Sequence, residues 1–198
     1  MPVSINGNTG VITGLAVGGL PDGTVDADSL ASNAVTAGKL ASGVGGKILQ
    51  VIQTTKTNSF TTTTTSYSDI TGMSANITMT SASNKVLVMV QQQIMSDDAG
   101  TGIKIVRGST DIFLGDASGS RARHTVTGDY ASGSGENQYS GGGSFICHLD
   151  TPGAGTHTYK VQCMTRGGTI YVNRTKRDSD DTNASRSTSS ITLQEVAA

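Results

Sequence analysis

The chain has 198 residues, a formal net charge of -1 and 15% charged residues, enough for one ordinary domain plus something smaller. Near-neutral charge speaks against a nucleic-acid binder, which needs a basic surface to displace counterions, and the basic stretch "NRTKRDSDD" is balanced by its own aspartates. No run approaches the ~20 apolar residues of a membrane span, and the start "MPVSINGNTG" lacks the basic and apolar regions of a secretion signal, so folding in a cytoplasm without membrane insertion is expected.

In chain order, the first feature is a repeat. "VDADSLASNA" (25–34) is followed at once by "VTAGKLASGV" (35–44), so that Val25, Leu30, Val35 and Leu40 recur every five positions. That spacing fits neither a simple helix nor a strand. Asp26 or Asp28 can cap a short helical turn carrying Leu30 and Ala34, and a second turn can follow Thr36. Burial yields roughly 25 cal/mol per Å², while ordering each residue costs about 1–2 kcal/mol. Residues 1–46 hold too few large side chains to close that gap alone. The arm is therefore a flexible linker, or it is ordered by copies of itself or by a partner. The repeat favours the second option, with Val25, Leu30, Val35 and Leu40 turned to a common axis and small Ala and Ser letting chains approach.

The glycines at 43–46 mark a boundary between an arm, 1–46, and a domain, 47–198. Beyond it the chain reads as all-β. Strand candidates are 47–53, the Thr-rich 59–70, 84–95, 102–108, 111–115, 122–128, 142–150, 156–165, 169–174 and 189–196. In 84–95, Val86, Val88 and Val90 fall on one side, with Leu87 and Met89 on the other. About ten strands separated by turn signals predict an antiparallel sandwich or jelly roll. One hairpin is predicted in register, folding about Ala154-Gly155. It places Cys147 opposite Cys163, Leu149 opposite Val161 and Phe145 opposite Thr165 on an apolar face, with Asp150 opposite Lys160 behind.

Little in the chain points to catalysis. His124, His148 and His157 lie in ordinary strand or turn contexts, and no nucleophile elbow, H-E-x-x-H or Walker loop occurs. The expectation is a non-enzyme without cofactor. Cys147 and Cys163 read as reduced, small buried residues rather than metal ligands, since they lack C-x-x-C spacing. Asp178, Asp180 and Asp181, with Asp97 and Asp98 as a second acidic pair, offer oxygen ligands for calcium. A solvated acidic loop neutralised by Arg174, Lys176 and Arg177 is the favoured reading. The polar stretch 121–144 offers Arg121, Arg123, Tyr130, Asn137 and Tyr139 as a recognition loop on a rigid β scaffold. Its side chains suit sugar contacts, although the chain has no Trp.

The unit "ASNAVTAGKLA" (31–41), together with "TTTTTSYSDITGMSANITMTSASNKVLVMV" and the final "SSITLQEVAA", resembles tail fibre proteins of bacteriophages, especially of marine and cyanobacterial viruses. The resemblance covers most of the chain and implies a virion protein made in the host cytoplasm. It implies a homotrimer whose N-terminal arm attaches to other virion proteins or forms a short shaft. The C-terminal jelly-roll-like domain would then be a knob that contacts a host surface glycan or protein. A capsid decoration protein is the alternative, given the short shaft. A glycan-degrading tailspike is third and would need two carboxylates roughly 5–10 Å apart.

Overall fold

A computed structural model describes residues 4–6, 11–13, 30–32, 34–36, 39–40, 47–98, 100–130 and 142–198, with the backbone alone for 4–6, 11–13, 129 and 130. Its contacts divide the chain into two compact units, Met1–Gly46 and Lys47–Ala198.

In the first unit, β1 (Ser4–Asn6) and β2 (Val11–Thr13) pair antiparallel with Ile5 opposite Ile12. The sequence reading did not foresee this ribbon. The repeat carries single turns: the Ala34 N–H donates to the Ala31 carbonyl at 2.9 Å, and the Lys39 N–H to that of Thr36 at 2.9 Å. The Lys39 ammonium reaches back to the Ala34 carbonyl at 3.1 Å.

The second unit is all-β. Its strands are β3 (Ile48–Lys56), β4 (Phe60–Thr62), β5 (Ser68–Met79), β6 (Lys85–Ser96), β7 (Thr101–Arg107) and β8 (Thr110–Ile112). They continue as β9 (Val126–Tyr130), β10 (Gly142–Asp150), β11 (Gly155–Thr165), β12 (Ile170–Val172) and β13 (Ser189–Val196). One sheet runs β3-β13-β6-β10, with β12 and then β4 added beside the end of β6. The other runs β5-β11-β7, and β8 and β9 share the far side of β7. All these pairings are antiparallel. A two-residue parallel pairing of β9 with the end of β6 joins the sheets at one corner.

Alternation drives the layers. Val86, Val88 and Val90 are fully buried in the same core as Ile103 and Ile105 of β7, Tyr159 and Val161 of β11 and Ile191 and Leu193 of β13. Burying each such aliphatic side chain contributes about 1.5–3 kcal/mol, which is what the inward half of each strand supplies. β13 carries one period-2 row inward, Ser189, Ile191, Leu193 and Glu195, and its strand limits match the sequence reading at 189–196.

Four expectations need correction. The 147/163 hairpin does not form: β10 pairs with β6, placing Cys147 beside Met89, whereas β11 pairs with β5 and β7, placing Cys163 beside Ile103. The segment after Asp150 carries the chain from one sheet to the other, with Gly153 and Gly155 at φ +83° and +101°. Those are left-handed conformations that glycine adopts without strain. The Thr-rich candidate 59–70 is two strands, because between them Thr64 turns the chain: its hydroxyl donates to the Ser66 carbonyl at 2.8 Å. The candidate 111–115 ends at Ile112, because Phe113 stands at φ +56°, and 122–128 becomes a strand only from Val126.

Candidate interaction surfaces

Of the repeat residues proposed to face an axis, Leu30 is 42% and Val35 50% exposed, and Leu40 is half-buried; Val25 lies outside the described residues. In the polar stretch, Arg121 is exposed and donates to the Ser118 hydroxyl at 2.6 Å, while the Arg123 guanidinium donates to the Gly115 carbonyl at 2.6 Å. Both bonds brace the segment between β8 and β9. Tyr130 ends β9, and its side chain, like Asn137 and Tyr139, lies outside the described residues.

The histidines are held in the scaffold. The His124 ring and the Tyr67 hydroxyl form a close hydrogen bond, and the Tyr67 hydroxyl also donates to the Arg123 carbonyl at 2.9 Å. Burial, then nearby Arg166, lowers the His124 pKa, and burial, then Asp111, pushes Tyr67 up to about 12. The Lys104 ammonium lies 4.3 Å from the Tyr67 ring centre. His148 stacks on Phe113 with ring centres 4.6 Å apart. His157 sits 3.3 Å from the Gly153 carbonyl.

The carboxylates are similarly engaged. Asp150 accepts from the Arg107 guanidinium at 2.5 Å and from the fully buried Tyr159 hydroxyl at 2.7 Å, tying the end of β10 to β7 and β11 in the opposite sheet. Burial raises the Tyr159 pKa, and the Asp150 carboxylate raises it further. Glu195 is fully buried, yet its pKa falls to about 2. Burial alone would raise it, but hydrogen bonds from Asn84, Gln50 and Thr80 outweigh that effect. Asp97 accepts from the Thr169 N–H at 2.6 Å and the Tyr171 hydroxyl at 3.0 Å, with Lys176 at 3.6 Å. Sequence reasoning missed these inward carboxylates, because Asp150 and Glu195 each look like the polar end of an amphipathic strand.

In the loop offered for calcium, Asp178 is ion-paired with Arg186 at 2.5 Å and Arg174 at 3.6 Å. Asp178, Asp180, Asp181 and Arg186 line a cavity of about 370 Å³ together with small residues. Among the described residues no group of three His, Cys, Asp or Glu is placed to hold a metal ion. Both thiols are free, but the expectation that both are buried is corrected for Cys147, which is exposed on the outer row of β10; Cys163 is buried, with burial pushing its pKa up to about 12.

The outer faces of the two sheets differ in chemistry. On the β5-β11-β7 sheet, Lys160 pairs with Asp69 at 2.8 Å and Lys104 with Asp111 at 2.6 Å. On the β3-β13-β6-β10 sheet, three lines of side chains cross all four strands. Thr55, Ser190, Gln91 and Phe145 form the first; Gln53, Thr192, Met89 and Cys147 the second; Val51, Gln194, Leu87 and Leu149 the third. None of these residues is charged. Phe145 is 66%, Val51 54% and Leu149 46% exposed, and Ile48 and Leu49 continue the apolar edge. No protein-family model matches the chain, and no curated protein matches it in sequence.

Proposed function

We propose that this chain is a structural virion protein: a short tail-fibre subunit that assembles as a homotrimer, attaches to the particle through residues 1–46 and presents residues 47–198 to the host surface. The observation that carries the reading is the strand order. β3-β13-β6-β10 lies opposite β5-β11-β7 and its neighbours, and the chain changes sheet from β3 to β5, β5 to β6, β6 to β7, β9 to β10, β10 to β11 and β11 to β13. That alternation is how a jelly roll is threaded, a fold common in capsid and lectin domains. Fold alone does not give function. The added support is the compact Met1–Gly46 unit with its repeat, which suits an attachment arm.

The role is binding rather than catalysis. Asp150, Glu195, Asp97 and Asp178 are engaged in structural bonds, which suits a scaffold for binding. The stretch 121–144, of which 126–130 form β9 and 142–144 open β10, remains the proposed host-facing segment, with a surface glycan or protein as its target.

Gold-labelled antibody against residues 47–198 on purified virions tests the reading. Label on the tail is expected. Label spread over the head makes the chain a capsid decoration protein, and unlabelled virions contradict a structural role. Incubation with host polysaccharide is expected to release no new reducing ends.

A further inference from the structure

We infer that the outer face of the β3-β13-β6-β10 sheet is the surface through which copies of this chain associate. The inference rests on the homotrimer reading above and adds which face is used. It begins with the orientation of β10. Its strand offers two alternate rows, and the more apolar one, Phe145, Cys147 and Leu149, points away from the core, whereas Ser144, Ile146 and Asp150 point in. A strand normally buries its apolar row. β6 adds Leu87 and Met89 directly beside them, and β3 adds Val51 two strands further on.

The face can form the centre of an interface. Four strands about 4.8 Å apart and side-chain lines repeating every two residues give a face about 20 Å on each side. That is about 400 Å² per copy, against about 800 Å² per partner in a standard interface, and its apolar side chains, Phe145, Cys147, Leu149, Leu87, Met89 and Val51, gather on β10, β6 and β3.

Charge selects the occupant. The three lines are uncharged, with Lys85 at one end of the β6 row, while the opposite outer face carries two ion pairs. A charged partner finds nothing here to pair with. Another copy's face matches it: no like charges meet in a symmetric arrangement, and Gln53, Gln91 and Gln194 each bring both a donor and an acceptor amide. Cyclic association about a three-fold axis, with the uncharged faces gathered around it, needs no second protein.

The test uses the full chain. Solution mass by light scattering and the reactivity of Cys147 toward a thiol reagent are measured for the wild type, for the double variant Phe145→Lys/Leu149→Lys, and for Thr158→Lys on the other sheet as a control. Both changed side chains in the double variant are exposed, so its thermal melt is expected to stay cooperative. The expected result is a threefold fall in mass for the double variant only, with Cys147 at least tenfold more reactive in it than in the wild type. A double variant that keeps the wild-type oligomer, with Cys147 equally reactive in both, overturns this face and leaves the trimer reading standing. A monomeric wild type overturns both. If the double variant does not fold, Gln194→Lys, in the middle of the same face, decides by the same two readouts.

Discussion

The Glu195 carboxylate accepts a hydrogen bond from the Asn84 side chain at 2.7 Å, locking the last strand to the turn between β5 and β6. The Thr80 N–H and hydroxyl, each at 2.8 Å, and the Gln50 amide at 2.6 Å complete the cage.

Acid should therefore loosen this corner. The folded pKa of Glu195, about 2, lies below the ordinary 4.5. Its stabilisation is present above pH 4.5 and is lost as pH falls toward 2. A shift of that size corresponds to about 3 kcal/mol. Urea unfolding of the wild type and Glu195→Gln is expected to differ by about 2–3 kcal/mol at pH 7, with the gap shrinking from pH 4.5 downward and closed near pH 2. A gap independent of pH would sink this assignment.

The contact from Asp150 to Arg107 and Tyr159 joins the two sheets. Asp150→Ala strands the partly buried Arg107 charge and is expected to cost about 3–5 kcal/mol. Tyr159→Phe removes one hydrogen bond and is expected to cost about 1–1.5 kcal/mol. Equal effects for the two variants in denaturant titrations would contradict the central place given to the carboxylate.

The two thiols should behave independently. Cys163 is expected to stay unreactive until the protein unfolds, and the melting temperature should be the same with and without reductant, since both cysteines are free. A reductant-dependent melting temperature would revive the paired arrangement.

Gly102 is a close-approach position: a Cβ there would collide with the His124 ring and lie 2.9 Å from the Tyr67 hydroxyl. Gly102→Ala is expected to cost about 1–3 kcal/mol through overpacking and to increase proteolysis between β8 and β9, the segment His124 anchors. Wild-type stability and unchanged cleavage would contradict that anchoring.

Much of the strand pattern is legible in the sequence, because alternation is a local property. The row Val86, Val88, Val90 and the whole of β13 read directly from period 2. What alternation does not give is which row of a strand faces the core. In β10 apolarity favours Phe145, Cys147 and Leu149, yet Asp150 points inward because Arg107, 43 residues away, and Tyr159, nine residues on in the opposite sheet, wait for it. The false hairpin has the same origin: β10 and β11 are both amphipathic, so either pairs plausibly with the other, and only the long-range partners β6, β5 and β7 decide. The proposed association face is hidden for this reason: alternation alone places its apolar row in the core. The repeat at Val25 to Leu40 was visible as a pattern, but a single chain leaves Leu30 and Val35 exposed.

The most direct measurement is the solution mass of the intact chain by light scattering across a range of concentrations. Three copies of the 20.2 kDa chain are expected, persisting on dilution. A mass of one chain throughout would contradict the homotrimeric virion subunit.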